Sequence, residues 1–112
     1  MRVAELMKKV NMKPLNKLHD KEIVGGLVTD MVSDVMKSGQ AENIWVTVQT
    51  HKKVIAAANL VDIAAVVITQ GKEVESDVLQ VADRAEITVF STPLTSWDFV
   101  GELYALGIRK KS

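Results

Sequence analysis

Short apolar runs alternate with helical stretches in the second half of the chain, and this alternation constrains the fold more than any other feature. The apolar runs cover residues 44–48, 63–69 and 87–90, and the helical patterns cover residues 52–60, 76–85 and 95–106. Strands that alternate with helices of about ten residues are joined by right-handed crossovers and lie parallel in one sheet. The sequence therefore predicts an α/β fold, a layered α/β/α domain with a mostly parallel sheet built from successive strand–helix units.

The first part of the chain carries weaker signals. Apolar residues at positions 3, 6, 7 and 10 follow a helical spacing, so a short helix is expected over residues 2–10. Pro14 favours a turn and a short edge strand within residues 11–17. Residues 22–28 predict a strand, in which the paired Gly25 and Gly26 indicate a bulge or a close backbone approach.

Composition limits the class of protein. The chain has 112 residues, 14 basic and 14 acidic side chains, zero net charge and no cysteine. This length fits a single domain over residues 1–112, with a basic end at 109–112 that is expected to fray. Zero net charge predicts neither a nucleic-acid nor a membrane partner, and the lack of cysteine excludes disulfides and thiolate-held metal clusters. No segment has the ~20 apolar residues of a membrane span, so the protein is predicted to be cytoplasmic.

The predicted strand ends bring polar loops together. In an open parallel sheet, ligands bind beyond the carboxyl ends of the strands. Each loop there precedes a helix N-terminus, which suits an anion or a nucleotide phosphate, although Thr and Ser at these places also suit helix capping. Thr95, for example, has the spacing to Asp98 of a helix cap. The predicted ligand-binding residues are Gln49, Thr50, His51, Thr69, Gln70, Gly71, Lys72, Ser91, Thr92 and Thr95.

The roles of the two histidines stay open. His51 lies on a strand-end loop, where it is a ligand or partner contact, a general base, a phosphoacceptor, or a residue without a role. His19 lies in a polar loop and is expected at the surface. Their spacing matches no metal site, and no cofactor is predicted.

The acidic residues of the predicted short helix over 31–37 allow two interpretations. Asp30 and Asp34 are four residues apart, a spacing that suits a divalent cation or shared acid–base chemistry. Capping of the helix by Asp30 or Thr29, with Asp34 solvated, is the interpretation that we favour. The chain contains no GxGxxG, GxxxxGK, GxSxG or HExxH motif. We therefore predict a non-enzymatic protein with no catalytic residue and no metal site.

Aromatic and methionine residues bear on assembly. Trp45 lies on the opposite face of its strand from Ile44, and Trp97 opens the last helix; core or interface packing explains both. Met31 and Met36 suit an adaptable apolar surface. A small domain with such residues is predicted to bury one face in a homodimer, the commonest oligomer.

Four ordered segments carry a family resemblance. They are EIVGGLVTDMVSDVM at 22–36, IWVTVQTH at 44–51, AVVITQG at 65–71 and VFSTP at 89–93. In this order they resemble a DRTGG domain, and the small stand-alone members of that family are the most similar. The resemblance covers residues 2–108.

The resemblance implies a fold similar to the N-terminal domain of HPr kinase/phosphorylase and a regulatory function. DRTGG domains occur as regulatory inserts between CBS domains of some family II pyrophosphatases and within long phosphotransacetylases. Stand-alone members are encoded beside iron-only hydrogenase subunits and signalling proteins in anaerobes, which implies a signalling or hydrogenase-associated protein partner. Without cysteine, this chain cannot itself hold a thiolate-ligated cluster.

The sequence departs from the residues that name the family. The Asp-Arg-Thr part falls at residues 49–51, which are Gln, Thr and His, and the Gly-Gly part falls at 69–71, where Gln70 replaces one glycine. Without an arginine fork, a bidentate phosphate contact of the family type is weakened. The departures nevertheless fall on the loops that the strand-end rule selects.

The leading hypothesis is a non-enzymatic regulatory or sensory domain, a homodimer that binds a small anionic ligand, such as a nucleotide, at the strand-end loops. The alternative is a protein-interaction or dimerisation module with no small ligand. A third hypothesis is phosphoryl transfer that uses His51 and a metal at Asp30 and Asp34.

Overall fold

The computed structural model describes residues 1–109. In chain order its elements are α1 (Val3–Leu6), β1 (Lys13–Pro14), β2 (Gly26–Val28), α2 (Val32–Ser38), β3 (Ile44–Thr47), α3 (Lys52–Val61), β4 (Ala65–Ile68), α4 (Ser76–Arg84), β5 (Thr88–Ser91) and α5 (Ser96–Ala105). The predicted strand–helix units are therefore present. Of the tail expected to fray, residues 110–112 lie outside the described part, whereas Arg109 places its guanidinium 4.7 Å from the centroid of the Tyr104 ring.

The strands form one five-stranded sheet in the order β1-β5-β4-β3-β2. Strands β2 to β5 are parallel, and the two-residue β1 pairs antiparallel with β5 at the edge. Every residue of β3, β4 and β5 is buried, which explains why their sequences are apolar on both faces. The predicted α/β class and mostly parallel sheet are confirmed.

Helices cover both faces of the sheet. On one face, α1 and α5 pack against strand residues that include Ile44 and Phe90. On the other face, α2, α3 and α4 pack against residues that include Trp45 and Val66. Neighbours in a strand point to opposite faces, so Ile44 and Trp45 enter different cores, as predicted. Within residues 1–109, no helix has the length and apolar character needed to cross a membrane.

Edge strand β2 depends on a glycine. A Cβ atom added to Gly26 would lie 2.9 Å from Cγ2 and 3.0 Å from the carbonyl oxygen of Ile44 on β3. Gly25, the residue before it, has a positive φ of 76°. The close backbone approach that the glycine pair predicts is therefore found at Gly26, where only the absence of a side chain lets β2 reach β3.

We expect Gly26→Ala to lower the free energy of unfolding by about 1–3 kcal/mol, because the added methyl group must push β2 away from β3. Urea unfolding monitored by the fluorescence of the buried Trp45 would measure the loss. Val28→Ala, at the exposed end of the same strand, is the control and should change stability by less than about 1 kcal/mol. Equal stabilities for Gly26→Ala and wild type would show that the space between β2 and β3 accommodates a methyl group at position 26.

The segment between β1 and β2 is held against α4 by one carboxylate. Asp83 Oδ1 accepts hydrogen bonds from Asn16 Nδ2 at 2.9 Å and from the Lys17 backbone N–H at 3.1 Å, and it lies 3.0 Å from His19 Nε2. The His19 side chain is only 14% exposed. The expected surface position of His19 is therefore wrong, because sequence alone does not show that an aspartate on α4 lies opposite this loop.

The pKa of Asp83 lies below its ordinary value, chiefly because of the hydrogen bond from His19, with Asn16 and Lys17 adding to the effect. A carboxyl group with a lowered pKa in the folded state stabilises the fold fully above its ordinary pKa. That stabilisation is lost as the pH falls through the lowered value.

We therefore expect wild type to be more stable than Asp83→Asn at pH 7, and the difference to shrink as the pH falls below about 4, the ordinary range of an aspartate. Urea unfolding of both proteins at a series of pH values would measure it. A difference that stays constant down to pH 2.5 would contradict the assignment to Asp83.

Candidate functional site

The carboxyl ends of the parallel strands lie along one edge of the sheet. The register aligns Thr47, Ile68 and Ser91 at the ends of β3, β4 and β5, so the following loops emerge side by side. We call these loops, together with the loop after β2, the carboxyl rim; it comprises residues 29–31, 48–51, 69–72 and 92–95. The predicted ligand-binding residues lie on this rim, apart from Ser91, the last residue of β5.

Backbone hydrogen bonds tie the loop after β4 to the loop after β5. The Gln70 N–H donates to the Leu94 carbonyl and the Gly71 N–H donates to the Thr92 carbonyl, both at 2.9 Å. Gln70 and Gly71 have positive φ angles of 65° and 63°. Glycine adopts this left-handed conformation without steric cost, so Gly71 suits this turn, whereas Gln70 adopts it at a steric cost.

Several of the predicted hydroxyl groups are buried at the base of the carboxyl rim. The Oγ1 atom of the fully buried Thr69 lies 2.9 Å from Ser96 Oγ, in the first residue of α5. Thr92 is also fully buried, and its hydroxyl oxygen accepts a hydrogen bond from the Leu94 N–H at 3.3 Å. Ser91 is buried in β5. These side chains shape the loops from below.

Asp30 binds the neighbouring strand end and does not cap α2. Its Oδ1 accepts hydrogen bonds from Thr47 Oγ1 and from the Val48 N–H, both at 3.0 Å. Helix α2 starts after Met31 without a side-chain cap, so the predicted capping by Asp30 or Thr29 is wrong. The physical reason is the free backbone N–H where β3 ends, since such groups require a partner.

A cleft of about 600 Å³ opens between the N-termini of α3 and α4. Its lining residues are Thr50, His51, Lys52 and Lys53 on the α3 side, and Glu73, Glu75, Asp77 and Val78 on the α4 side. His51 is the N-cap residue of α3, but its exposed side chain makes no capping bond. The strand-end rule predicts Thr50 and His51 on the α3 side of this cleft. It does not predict the α4 side, because those residues lie beyond the loop that directly follows β4.

Charge is uneven across the cleft. Lys52 Nζ lies 3.0 Å from Asp77 Oδ2, and this hydrogen bond is the main reason why the pKa of Asp77 lies below its ordinary value. Lys53 forms no ion pair within residues 1–109. The first turn of α3 contains no acidic residue, so its positive charge adds to the positive end of the helix dipole.

The predicted residues form two groups and not one open pocket. Thr50 and His51 line the cleft. Thr69, Thr92 and Ser91 are buried, while Gln70, Gly71 and Lys72 lie exposed on the turn above them. Gln49 is half-buried, and its N–H donates to Thr47 Oγ1 at 3.1 Å. Thr95 caps α5 by accepting a hydrogen bond from the Asp98 N–H at 3.2 Å, as its spacing predicts.

Helix α5 carries an exposed apolar surface that was not predicted from the sequence. Trp97 is 87% exposed and Tyr104 is 51% exposed, so Trp97 does not belong to the core of this chain. Both residues line an open groove of about 500 Å³, together with Val28, Ser96, Val100 and Gly101. The signal was present in the sequence, since Trp97, Gly101 and Tyr104 have the spacing of one helix face.

Together, the parallel sheet, the polar rim and the cleft at two helix N-termini define an α/β domain with a polar edge at the carboxyl ends of its strands. Within residues 1–109, no group of three or more metal-ligating side chains is arranged to hold a metal ion. The family model of the DRTGG domain matches residues 5–106. The chain therefore belongs to the DRTGG domain family, a family of regulatory domains.

A solved structure shares the fold. It is the crystal structure of the CBS and DRTGG domains of the regulatory region of Clostridium perfringens pyrophosphatase, complexed with the activator diadenosine tetraphosphate. The match has a TM-score of 0.72 at 13% sequence identity, and it covers 98% of this chain and 50% of that chain. This chain thus spans about half of that regulatory fragment. Comparison with curated protein sequences gives no significant match.

We expect Gly71→Ala to lower the free energy of unfolding by about 1–2 kcal/mol, because the new Cβ is strained at positive φ even though the space around it is open. Thermal unfolding followed by circular dichroism would measure the change. Lys72→Ala, the next residue, should change stability by less than about 0.5 kcal/mol. A Gly71→Ala protein as stable as wild type would mean that this turn relaxes out of the left-handed region.

Proposed function

We propose that this domain is a non-catalytic, dimeric regulatory domain that binds a small anionic ligand at the carboxyl rim. The observation that carries the proposal is the N-terminus of α3. This ten-residue helix has no side-chain cap and no acidic residue in its first turn, and it opens on the cleft of about 600 Å³. The backbone N–H groups of the first turn, the helix dipole and Lys53, which forms no ion pair among the described residues, all favour a negative group at this point.

In this proposal, some residues contact the ligand directly and others hold the loops of the carboxyl rim in place. Thr50, His51 and Lys53 contact the anion from the α3 side, and Lys72 stands on the exposed turn after β4. The buried hydroxyls of Thr69 and Thr92 hold the loops in place and act indirectly. Gln49, Gln70, Gly71, Ser91 and Thr95 belong to the same scaffold.

The opposite wall of the cleft favours a nucleotide over a simple anion. Glu73, Glu75 and Asp77 repel a second negative group but accept hydrogen bonds from donors such as ribose hydroxyls or a base amino group. A nucleotide carries a phosphate at one end and such donors at the other. The diadenosine tetraphosphate held by the pyrophosphatase fragment supports the same ligand class as the first to test.

Thermal unfolding in the presence of AMP, ADP, ATP, diadenosine tetraphosphate and inorganic phosphate tests the proposal. A ligand at ~100 times its dissociation constant adds about 2.7 kcal/mol of stability, which raises the midpoint of a domain of this size by roughly 10–20 °C. We expect a nucleotide to produce such a rise, and we expect His51→Ala combined with Lys53→Ala to remove most of it.

Lys8→Ala, an exposed lysine outside the cleft, is the matched control and should leave the ligand-induced rise unchanged. Added salt should weaken binding, because an exposed phosphate contact is screened. No shift with any of these compounds at millimolar concentration would remove the small-ligand function.

A second candidate is a protein-interaction module without a small ligand, and the exposure of Trp97 on the α5 groove favours it. An apolar surface of this kind serves a homodimer or a protein partner such as a signalling or hydrogenase-associated protein. In this case the domain regulates by association, and the rim only shapes the loops. Light scattering tests self-association: a 12.3 kDa species at every concentration excludes the homodimer.

A further inference from the structure

The outward face of α5 carries one charged side chain, Asp98, whereas a surface helix normally carries several. It consists of Trp97, Asp98, Gly101, Tyr104 and Ala105, all of them exposed. A helix at a protein surface usually turns polar residues to the solvent. Here, the face carries two aromatic rings, two small residues and one acidic residue at its start. We call it the α5 face.

Gly101 lies at the centre of the α5 face, and no contact among residues 1–109 requires a glycine there. Gly101 lies inside the helix, away from both of its ends, and a Cβ added to it would meet no atom of the described residues within 4 Å. Glycine is among the weakest helix formers, so its presence opposes the helix that contains it. A glycine becomes useful at such a position when another helix backbone must come close, as small residues permit.

We infer that the α5 face binds the same face of a second copy, with the two helices antiparallel and crossing at Gly101. This inference rests on the proposed self-association and names its surface. In a two-fold arrangement the same patch serves both subunits, so each residue faces the one at equal distance beyond the axis. Trp97 then faces Ala105 of the second copy, and the largest side chain lies opposite a small one.

The charges near the α5 face also favour a second copy of this chain as the partner. With the crossing at Gly101, Asp98 faces Tyr104 of the second copy. The guanidinium of Arg109 lies over that Tyr104 ring, 4.7 Å from its centroid, so Asp98 meets a positive charge. Each α5 face is therefore complementary to itself in charge only when the helices run antiparallel, and a two-fold axis repeats the pair.

The exposed aromatic side chains supply part of the area that a stable dimer buries. Exposed fractions of 87% for Trp97 and 51% for Tyr104, in both copies, supply roughly 400–700 Å² at about 150–250 Å² per aromatic side chain. Stable interfaces bury about 1,200–2,000 Å² in total. The helix backbone around Gly101 and the groove residues Val28 and Val100 extend the same surface.

Sedimentation velocity of the full chain from about 1 to 500 µM tests the inference. We expect wild type to form a dimer, and Gly101→Leu to raise the dissociation constant at least tenfold because the leucine separates the helices. In the isolated subunit, Gly101→Leu should not lower the thermal midpoint, since the added side chain enters open space and leucine favours helix. Ala56→Leu, on the exposed surface of α3, is the control and should leave the dissociation constant unchanged.

A charge exchange tests the antiparallel pairing. Asp98→Lys and Arg109→Glu should each weaken self-association at least threefold, and an equal mixture of the two variants should restore a dimer of one chain of each kind. A wild-type dimer that Gly101→Leu does not weaken, or two variants that fail to rescue each other, overturns the α5 pairing and leaves the proposed homodimer standing. A wild type that stays monomeric up to 500 µM overturns both, while the nucleotide panel decides the ligand proposal separately.

Discussion

The parallel register of β3, β4 and β5 is the constraint on which the rest of this structure depends. These strands are buried on both faces, so each backbone polar group must find its partner within the sheet. Parallel strands can form these hydrogen bonds only if a crossover connection leads from the end of one strand back to the start of the next. In this chain a helix makes each such connection. The carboxyl ends consequently meet at one edge, and α3, α4 and α5 all start there. The rim and the cleft thus follow from burial of the central strands.

The sequence predicts the strand–helix units well because their signals are local. A continuous apolar run such as β4 is understood without knowing its neighbours, and the capping pair of Thr95 and Asp98 lies within one helical turn. The strand-end rule then locates the rim from the order of elements alone. For the same reason the paired Gly25 and Gly26 predict a bulge or a close backbone approach, although not the Ile44 contact that requires a glycine at position 26.

The missed features depend on pairs that are distant in sequence. His19 and Asp83 are 64 residues apart, and Asp30 and Thr47 are 17 apart, so no local pattern reveals either pair. In both cases the sequence predicts a solvent-exposed or helix-capping role for a polar loop residue. In the folded chain, His19 contacts Asp83 and Asp30 binds Thr47 instead. Trp97 is a different case, since its helical spacing to Gly101 and Tyr104 is local. The sequence does not show which face of α5 points to the solvent. In the structure the face with Trp97 does so, and Phe99 on the other face is buried.

Hydrogen bonds connect the carboxyl rim to the start of α5. The Thr69 hydroxyl at the end of β4 lies 2.9 Å from that of Ser96, and the backbone bonds of Gln70 and Gly71 fix the loop that leads into α5. A ligand that shifts the turn after β4 therefore acts on the start of the helix whose outer face carries Trp97. Thermodynamic linkage requires the reverse as well: pairing of α5 with a second copy would change affinity at the rim by the same factor. Regulation of an attached or bound protein requires only a coupling of this kind between two sites.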